Sequence, residues 1–214
     1  ANKEQRGYIT PQEFNLFANQ AQMDIFEQYF YDLNQFRRLP GNDTNYSDMI
    51  TVLEEKINLF LDSHSPTSTG SNNNIFALAD DFYRLSEVRY GEPKVEVERL
   101  TNKEFNLVRI TPLTAPTLSR PIYYQKDTRI IMYPHDPNGV DDVNIIYFRR
   151  PVKVEWNSLG TGLYVSGVDF ELHPSEEVNL VIKILGLAGI TLKDPALYQI
   201  AGAEDNKNIQ QEKQ

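Results

Sequence analysis

The chain has 214 residues, a net charge of −9 from 30 acidic and 21 basic residues, 40% hydrophobic residues and no cysteine. That length supports one sizeable core or two small ones, and the ordinary apolar content argues for a folded protein. Without cysteine there is no disulfide framework, no thiolate metal site and no thiol catalysis, which fits synthesis in a reducing cytosol; the acidic balance argues against tight nucleic-acid binding, which relies on basic patches.

Ala1 to Gly7 is polar and lacks the apolar stretch of a secretory signal. Thr10-Pro11-Gln12-Glu13 reads as a capping box with proline in the first helical position, and the helix it opens should run to about Arg38, before Pro40-Gly41. On a helical wheel Phe14, Phe17, Ala18, Ala21, Ile25, Tyr29, Leu33 and Phe36 form one stripe. Leu16, Met23, Phe26 and Phe30 lie toward the other side. One stripe is enough for a helix on a monomer surface, so two imply a helix central in its own fold or shared with a neighbour.

After the polar turn Gly41 to Tyr46, the apolar positions Ile50, Leu53, Ile57, Phe60 and Leu61 follow helical spacing. Ile57, Leu59 and Leu61 also alternate, so this segment is expected to be helical first and extended later. Ser63 to Asn74 has the composition of a surface loop or hairpin tip. From Ile75 to Trp156 the chain turns β-rich. Val95, Val97 and Arg99 alternate with Glu96 and Glu98. Thr128 to Pro134 and Val143 to Phe148 are β-branched and aromatic runs, and the Asn138-Gly139 signal between them predicts that they pair as a hairpin. Pro112, Pro116 and Pro121 predict that Thr111 to Pro121 wanders along the surface.

A last helix is expected from Pro174, with Ser175-Glu176-Glu177 in its first turn, where the helix dipole favours negative charge. Val178, Val181, Ile182, Leu185 and Ala188 are its predicted buried stripe, while Gly186 and Gly189 weaken it but permit close approach of another backbone. Lys183 interrupts the most apolar stretch, Val178 to Ile190, which falls short of the roughly 20 residues that span a bilayer. No membrane association is expected. A short turn follows through Leu197, Tyr198 and Ile200, and the tail from Ala203 is polar and expected to be loose. The predicted fold is α+β, a single structural unit over 1–214: 1–62 mainly helical, 75–170 β-rich and hairpin- or barrel-like, 171–202 helical and 203–214 a polar tail. The N- and C-terminal helices are expected to pack together.

No constellation for chemistry emerges. His64, His135 and His173 stand apart, with no second ligand at metal spacing. Asp136, Asn138, Asp141 and Asp142 do not follow the EF-hand pattern for Ca²⁺. The acidic pairs Glu54-Glu55, Asp80-Asp81, Asp141-Asp142 and Glu176-Glu177 read as helix faces, turns or helix starts. Gly160-Thr161-Gly162 lacks a following lysine, and Val165-Ser166-Gly167-Val168 is a weak approach to a nucleophile elbow. No enzyme activity and no cofactor are expected. The tyrosines Tyr123, Tyr124, Tyr133, Tyr147 and Tyr164 motivate one alternative, a carbohydrate-binding or glycan-cleaving module, which requires them exposed beside paired carboxylates in a cleft.

Four stretches carry a resemblance that covers nearly the whole chain. Gly7-Tyr8-Ile9-Thr10-Pro11-Gln12-Glu13-Phe14-Asn15, continued by Asn19-Gln20-Ala21-Gln22 and Glu27-Gln28-Tyr29-Phe30, is the first. Ala77-Leu78-Ala79-Asp80-Asp81-Phe82-Tyr83-Arg84-Leu85 is the second, with Ala79 where proline is common. Ile145-Ile146-Tyr147-Phe148-Arg149-Arg150-Pro151 with Trp156, and Phe170-Glu171-Leu172-His173-Pro174-Ser175-Glu176-Glu177, complete the set. Together they resemble a virion protein family of crAss-like and related podovirus-type tailed bacteriophages. The resemblance implies a head-to-tail connector: an adaptor or ring protein beneath the portal, in about twelve copies around the DNA channel. Its implied partners are itself, the portal protein and neighbouring tail or ring proteins, with double-stranded DNA passing without specific binding. Its implied place is the head–tail junction of the virion, after synthesis in the host cytoplasm. Another tail-tube, tail-hub or capsid-associated role is the nearest alternative. Leu197, Tyr198 and Ile200 are the candidate anchors on a neighbouring ring, or equally a docking turn within the subunit's own core.

Overall fold

The computed structural model describes residues 9–38, 44–69, 74–91, 94–134, 143–156, 167–191, 199–204 and 206–207. The fold is α+β, as the sequence predicts. From sequence, residues 1–214 read as one structural unit; the chain has two compact units. The first comprises Ala1–Leu59 and Pro151–Gln214, and the second is the inserted segment Phe60–Arg150.

Unit 1 is helical. Helix α1 spans Pro11–Arg38 and α2 spans Thr44–Asn58. The capping box forms as expected: the Thr10 amide donates to Glu13 Oε2 at 2.8 Å, and the Glu13 amide donates to Thr10 Oγ1 at 3.2 Å. Bonds from the Thr10 amide and the Thr10 hydroxyl hold the Glu13 carboxyl below its ordinary range. Ala18, Ala21, Ile25 and Tyr29 are buried along one face of α1, and Phe26 and Phe30 are buried on the other. Both stripes apart from Leu16, which is exposed, are therefore at least partly covered within the chain. The C-terminal helix over Glu177–Thr191 packs on α1, so the N- and C-terminal helices do come together.

Unit 2 contains two sheets. Its strands are β1 (Leu61–His64), β2 (Ser68–Thr69), β3 (Ile75–Ala77), β4 (Phe82–Tyr90), β5 (Val95–Glu96), β6 (Glu98–Arg99), β7 (Ile122–Lys126), β8 (Arg129–Tyr133) and β9 (Val143–Arg149). One sheet has the order β1-β9-β4-β5 and the other β2-β3-β8-β7-β6; every pair is antiparallel except β6 with β7. Alternate residues of β9 (Val143, Ile145, Tyr147) and β8 (Ile130, Met132) point into one core with Phe76, Val88 and Tyr123. The change from helix to strand expected near Ile57 occurs between Asn58 and Leu61.

Three expectations are corrected here. The runs Thr128–Pro134 and Val143–Phe148 do form strands, β8 and β9, but they do not pair. β8 lies between β3 and β7, and β9 between β1 and β4, so both edges of each strand are already taken. The turn residues 135–142 lie outside the described residues. The hairpin that does form joins β7 to β8 through Asp127-Thr128, closed by Lys126 opposite Arg129, with Asp127 at φ +51° as a two-residue turn requires. Second, the alternating segment Val95–Arg99 is not one strand. It passes from the first sheet to the second at Val97, whose amide donates to the Val88 carbonyl at 2.8 Å, and of Val95, Val97 and Arg99 only Val97 is buried. Third, the β-rich region holds a helix, α3 (Asn102–Ile110), opened by a second capping box in which the Thr101 amide donates to Glu104 Oε2 at 2.9 Å. Phe105 anchors it, edge-on to Tyr124 at 4.6 Å. Thr111 to Arg120 then runs over the surface as predicted, ending at buried Pro121.

The last long helix, α4 (Glu177–Thr191), follows a single 3-10 turn at Pro174–Glu176. Its predicted buried stripe is mostly the wrong face. Leu180 and Ala188 are buried, whereas Val178, Val181 and Leu185 are exposed. A helix apolar nearly all round carries no phase from which the inward side can be read.

Candidate functional site

Unit 1 is organised around a ladder of amide side chains on α1. Asn15, Asn19 and Gln22 recur every three to four residues and so share one face. Opposite them runs an extended segment in which every second residue presents its backbone. Asn19 donates to the Val154 carbonyl at 2.9 Å and accepts the Val154 amide at 2.8 Å. Asn15 accepts the Trp156 amide at 2.8 Å, and Gln22 donates to the Val152 carbonyl at 2.9 Å. The helix thus offers side-chain amides where a neighbouring strand would offer peptide groups, and buried Gln22 also accepts the Glu171 amide at 3.2 Å. Beyond the segment, Glu155 and Val168 exchange backbone hydrogen bonds of 3.2 and 3.0 Å. Gly167 is required there, since a Cβ on it would lie 2.5 Å from the Glu155 carbonyl oxygen.

The four stretches quoted in the resemblance fall into place as folding contacts. In unit 1 Asn15 of the first stretch holds Trp156 of the third, and Phe14 stacks edge-on against the same Trp156 at 5.4 Å. In unit 2, Asp81 and Phe82 meet the Tyr147–Arg150 motif. The Tyr147 hydroxyl donates to Asp81 Oδ1 at 2.9 Å, and the Arg150 amide donates to the Asp81 carbonyl at 2.8 Å. Burial, reinforced by that bond to Asp81, pushes the Tyr147 hydroxyl up to about 12.

The fourth stretch builds the start of α4. His173 caps the 3-10 turn, its Nδ1 accepting the Ser175 amide at 3.2 Å. Glu176 is only 4% exposed, and its carboxylate is paired with Lys56 of α2 and accepts a bond from Asn179 at 2.9 Å. Lys56 also lies 5.7 Å from the centre of the Tyr29 ring on α1. One buried ion pair thereby joins α2 to the beginning of α4.

Alongside this start lies a groove of about 590 Å³. Phe14, Phe170, Leu172, Leu180, Val181 and Leu185 give it an apolar lining; Asp169 and Glu177 are exposed at it, and among the described residues neither lysine nor arginine lines it. A second hollow of about 470 Å³ shares Phe14, Asp169 and Phe170 and is walled by Trp156 and Val168. Val178, 65% exposed, continues the apolar surface of α4 outward. The groove was missed in the sequence because its outer wall is the stripe assigned to the core.

Of the predicted anchors, Leu197 and Tyr198 lie outside the described residues. Ile200 is exposed on a helical stretch over 199–204 that packs beside α4 through Ala201, whose Cβ sits 3.5 Å from where a Cβ on Gly186 would be. The close approach expected at Gly186 is thus used within the chain. Residues 203–204 and 206–207, the start of the tail expected to be loose, are helical. The rest of the tail lies outside the described residues, as do His135, Asp136, Asn138, Asp141, Asp142, Gly160-Thr161-Gly162 and Val165-Ser166.

Among the described residues no three of His, Asp or Glu are grouped as metal ligands, and no helix is long and apolar enough to cross a membrane. Of the acidic pairs, Glu54 bonds Arg37 at 2.8 Å on the surface, Asp81 holds Tyr147 and Glu176 holds Lys56. Tyr123 and Tyr147 are buried in the β core, Tyr124 packs on Phe105, and Tyr133 lies under the Arg109 guanidinium at 4.6 Å. Tyr123 and Tyr147 are thus unavailable to a saccharide, while Tyr124 and Tyr133 are half-buried and Tyr164 is outside the described residues. No protein-family model and no curated protein matches this chain.

Proposed function

We propose that this chain is a non-enzymatic structural subunit of a tailed bacteriophage particle, a head-to-tail connector that assembles with copies of itself and with the portal and tail proteins around the DNA channel. The observation that carries the reading is the outward apolar face of α4 with the groove beside it, surface that a solitary subunit gains nothing by exposing. The resemblance of four sequence stretches to the connector family supports it further, and their described parts contact one another, Asn15 with Trp156, Gln22 with Glu171 and Asp81 with Tyr147.

Of the second stripe of α1, Phe26 and Phe30 are covered within the chain and demand no neighbour, and Leu16 is exposed. Charge supplies a further support. Unit 1 holds 18 acidic and 10 basic residues against 12 and 11 in unit 2, so nearly all of the net −9 belongs to unit 1. An acidic surface facing a channel repels duplex DNA and lets it pass without sticking.

The test is the mass of the purified chain by light scattering, alone and mixed with the portal protein of its virus. A ring near the mass of about twelve copies, or a stable complex with portal, is the expected result. A monomer that ignores portal would sink the connector reading.

A further inference from the structure

The groove beside α4 has a counterpart on unit 2 of the same chain. From Phe105 to Arg120 the sequence carries two arginines and no carboxylate. The same stretch exposes Leu107, Ile110, Leu113 and Leu118. Leu113, at 94%, is the most exposed large apolar residue among those described, and it stands in a surface loop between Pro112 and Pro116. Proline fixes the backbone on either side, so the leucine is presented at little entropic cost on binding.

The two surfaces are both apolar and carry charges of opposite sign. One is an exposed apolar segment with Arg109, which lies over the Tyr133 ring, and Arg120, which makes an exposed ion pair with Glu98 at 3.2 Å that docking would exchange. The other is an apolar groove edged by Asp169 and Glu177, with no cation lining it among the described residues. We infer that the 105–120 segment of one copy docks in the α4 groove of the next copy, with Leu113 seated against Val181 and Leu185 and Arg120 near Asp169 and Glu177. Two different patches then meet at each contact, which makes the interface heterologous. Such a contact repeats from copy to copy and closes into a ring when its rotation divides a full turn. This rests on the self-assembling reading above and adds to it the surfaces through which assembly occurs.

The test uses Leu113→Asp and Val181→Asp in the full chain, each first compared with wild type by circular dichroism. If V181D loses helix, V178D, at a more exposed position on the same face, replaces it. Light scattering is then run on each variant and on their equimolar mixture. Each variant alone is expected to be a monomer. The mixture is expected to give a dimer and nothing larger, because one intact segment and one intact groove remain to meet. Variants that assemble as wild type does would overturn this contact while leaving the ring reading in place. A mixture that stays monomeric would show that segment and groove serve different partners. Wild-type chain that is monomeric at every concentration would remove the second copy as occupant, and the portal mixture then decides the broader reading separately.

Discussion

Glu176 sits at the start of α4 with its carboxylate almost wholly covered, and Lys56 is its counter-charge. An ion pair so placed adds little net stability over an apolar pair of the same shape, but breaking it strands a charge. Lys56→Ala should therefore lower the unfolding free energy by about 3–5 kcal/mol in a urea titration. The double change Lys56→Met with Glu176→Leu should recover most of that loss. A single variant as stable as wild type would mean that Glu176 finds water or another donor. Tyr147 gives a residue-scale prediction in alkali. Its hydroxyl is raised to about 12 from the ordinary 10.0, so the unfolded chain ionises first as pH rises. The stability linked to the neutral hydroxyl is full below pH 10 and is lost between 10 and 12. Unfolding midpoints measured across that window should fall, and Tyr147→Phe should flatten the part of the slope that this residue contributes. An unchanged slope would show that other tyrosines carry the alkaline transition.

At the scale of elements, the α1 ladder is the feature most open to attack. Asn19 makes two hydrogen bonds with the Val154 backbone, and alanine at 19 leaves both peptide groups to find water or go without. Asn19→Ala should cost about 1–3 kcal/mol, and the Val154 amide should lose hydrogen-exchange protection more than the amides of unit 2. Equal loss in both units would mean that they unfold together. Gly167→Ala pushes a methyl group against the Glu155 carbonyl and should loosen the same segment from its other side. None of this ladder was legible in the sequence, where Asn15, Asn19 and Gln22 are only polar positions on a helix. What was legible depends on near neighbours along the chain. The ends of α1, the switch from α2 to β1 and the surface run before Pro121 are set by caps, prolines and periodicity within a few residues. The same local rule would have found α3, since Thr101-Asn102-Lys103-Glu104 repeats the spacing of Thr10-Pro11-Gln12-Glu13. Strand partners are different in kind. An Asn-Gly turn signal favours pairing of the flanking strands, but β8 and β9 each had two better neighbours, and pairing is decided between distant segments. The groove beside α4 failed to show for a related reason: an all-round apolar helix takes its inward face from what it packs on.

For the whole molecule, charge is the property that most constrains a role beside DNA. Duplex DNA carries one negative charge per roughly 1.7 Å of axis, and proteins that hold it do so by displacing counterions with lysine and arginine. Here the 18 acidic and 10 basic residues of unit 1 oppose that, and unit 2 is close to neutral. A channel wall needs this behaviour, because DNA held at each of many copies could not be packaged or ejected. At about 50 mM salt, where phosphate contacts are at their strongest in ordinary assays, the chain should give no shift of a duplex in a native gel, alone or as an assembled ring. Repulsion at that salt reaches over a Debye length of more than about 10 Å, so a few exposed arginines should not reverse it. Arg149-Arg150 is the pair most able to do so, being adjacent in sequence at the end of β9. A duplex shift that disappears with Arg150→Glu would put a DNA-gripping face on unit 2 and end the passive-wall reading. A duplex that stays free, beside a chain that assembles with portal, is what a connector requires.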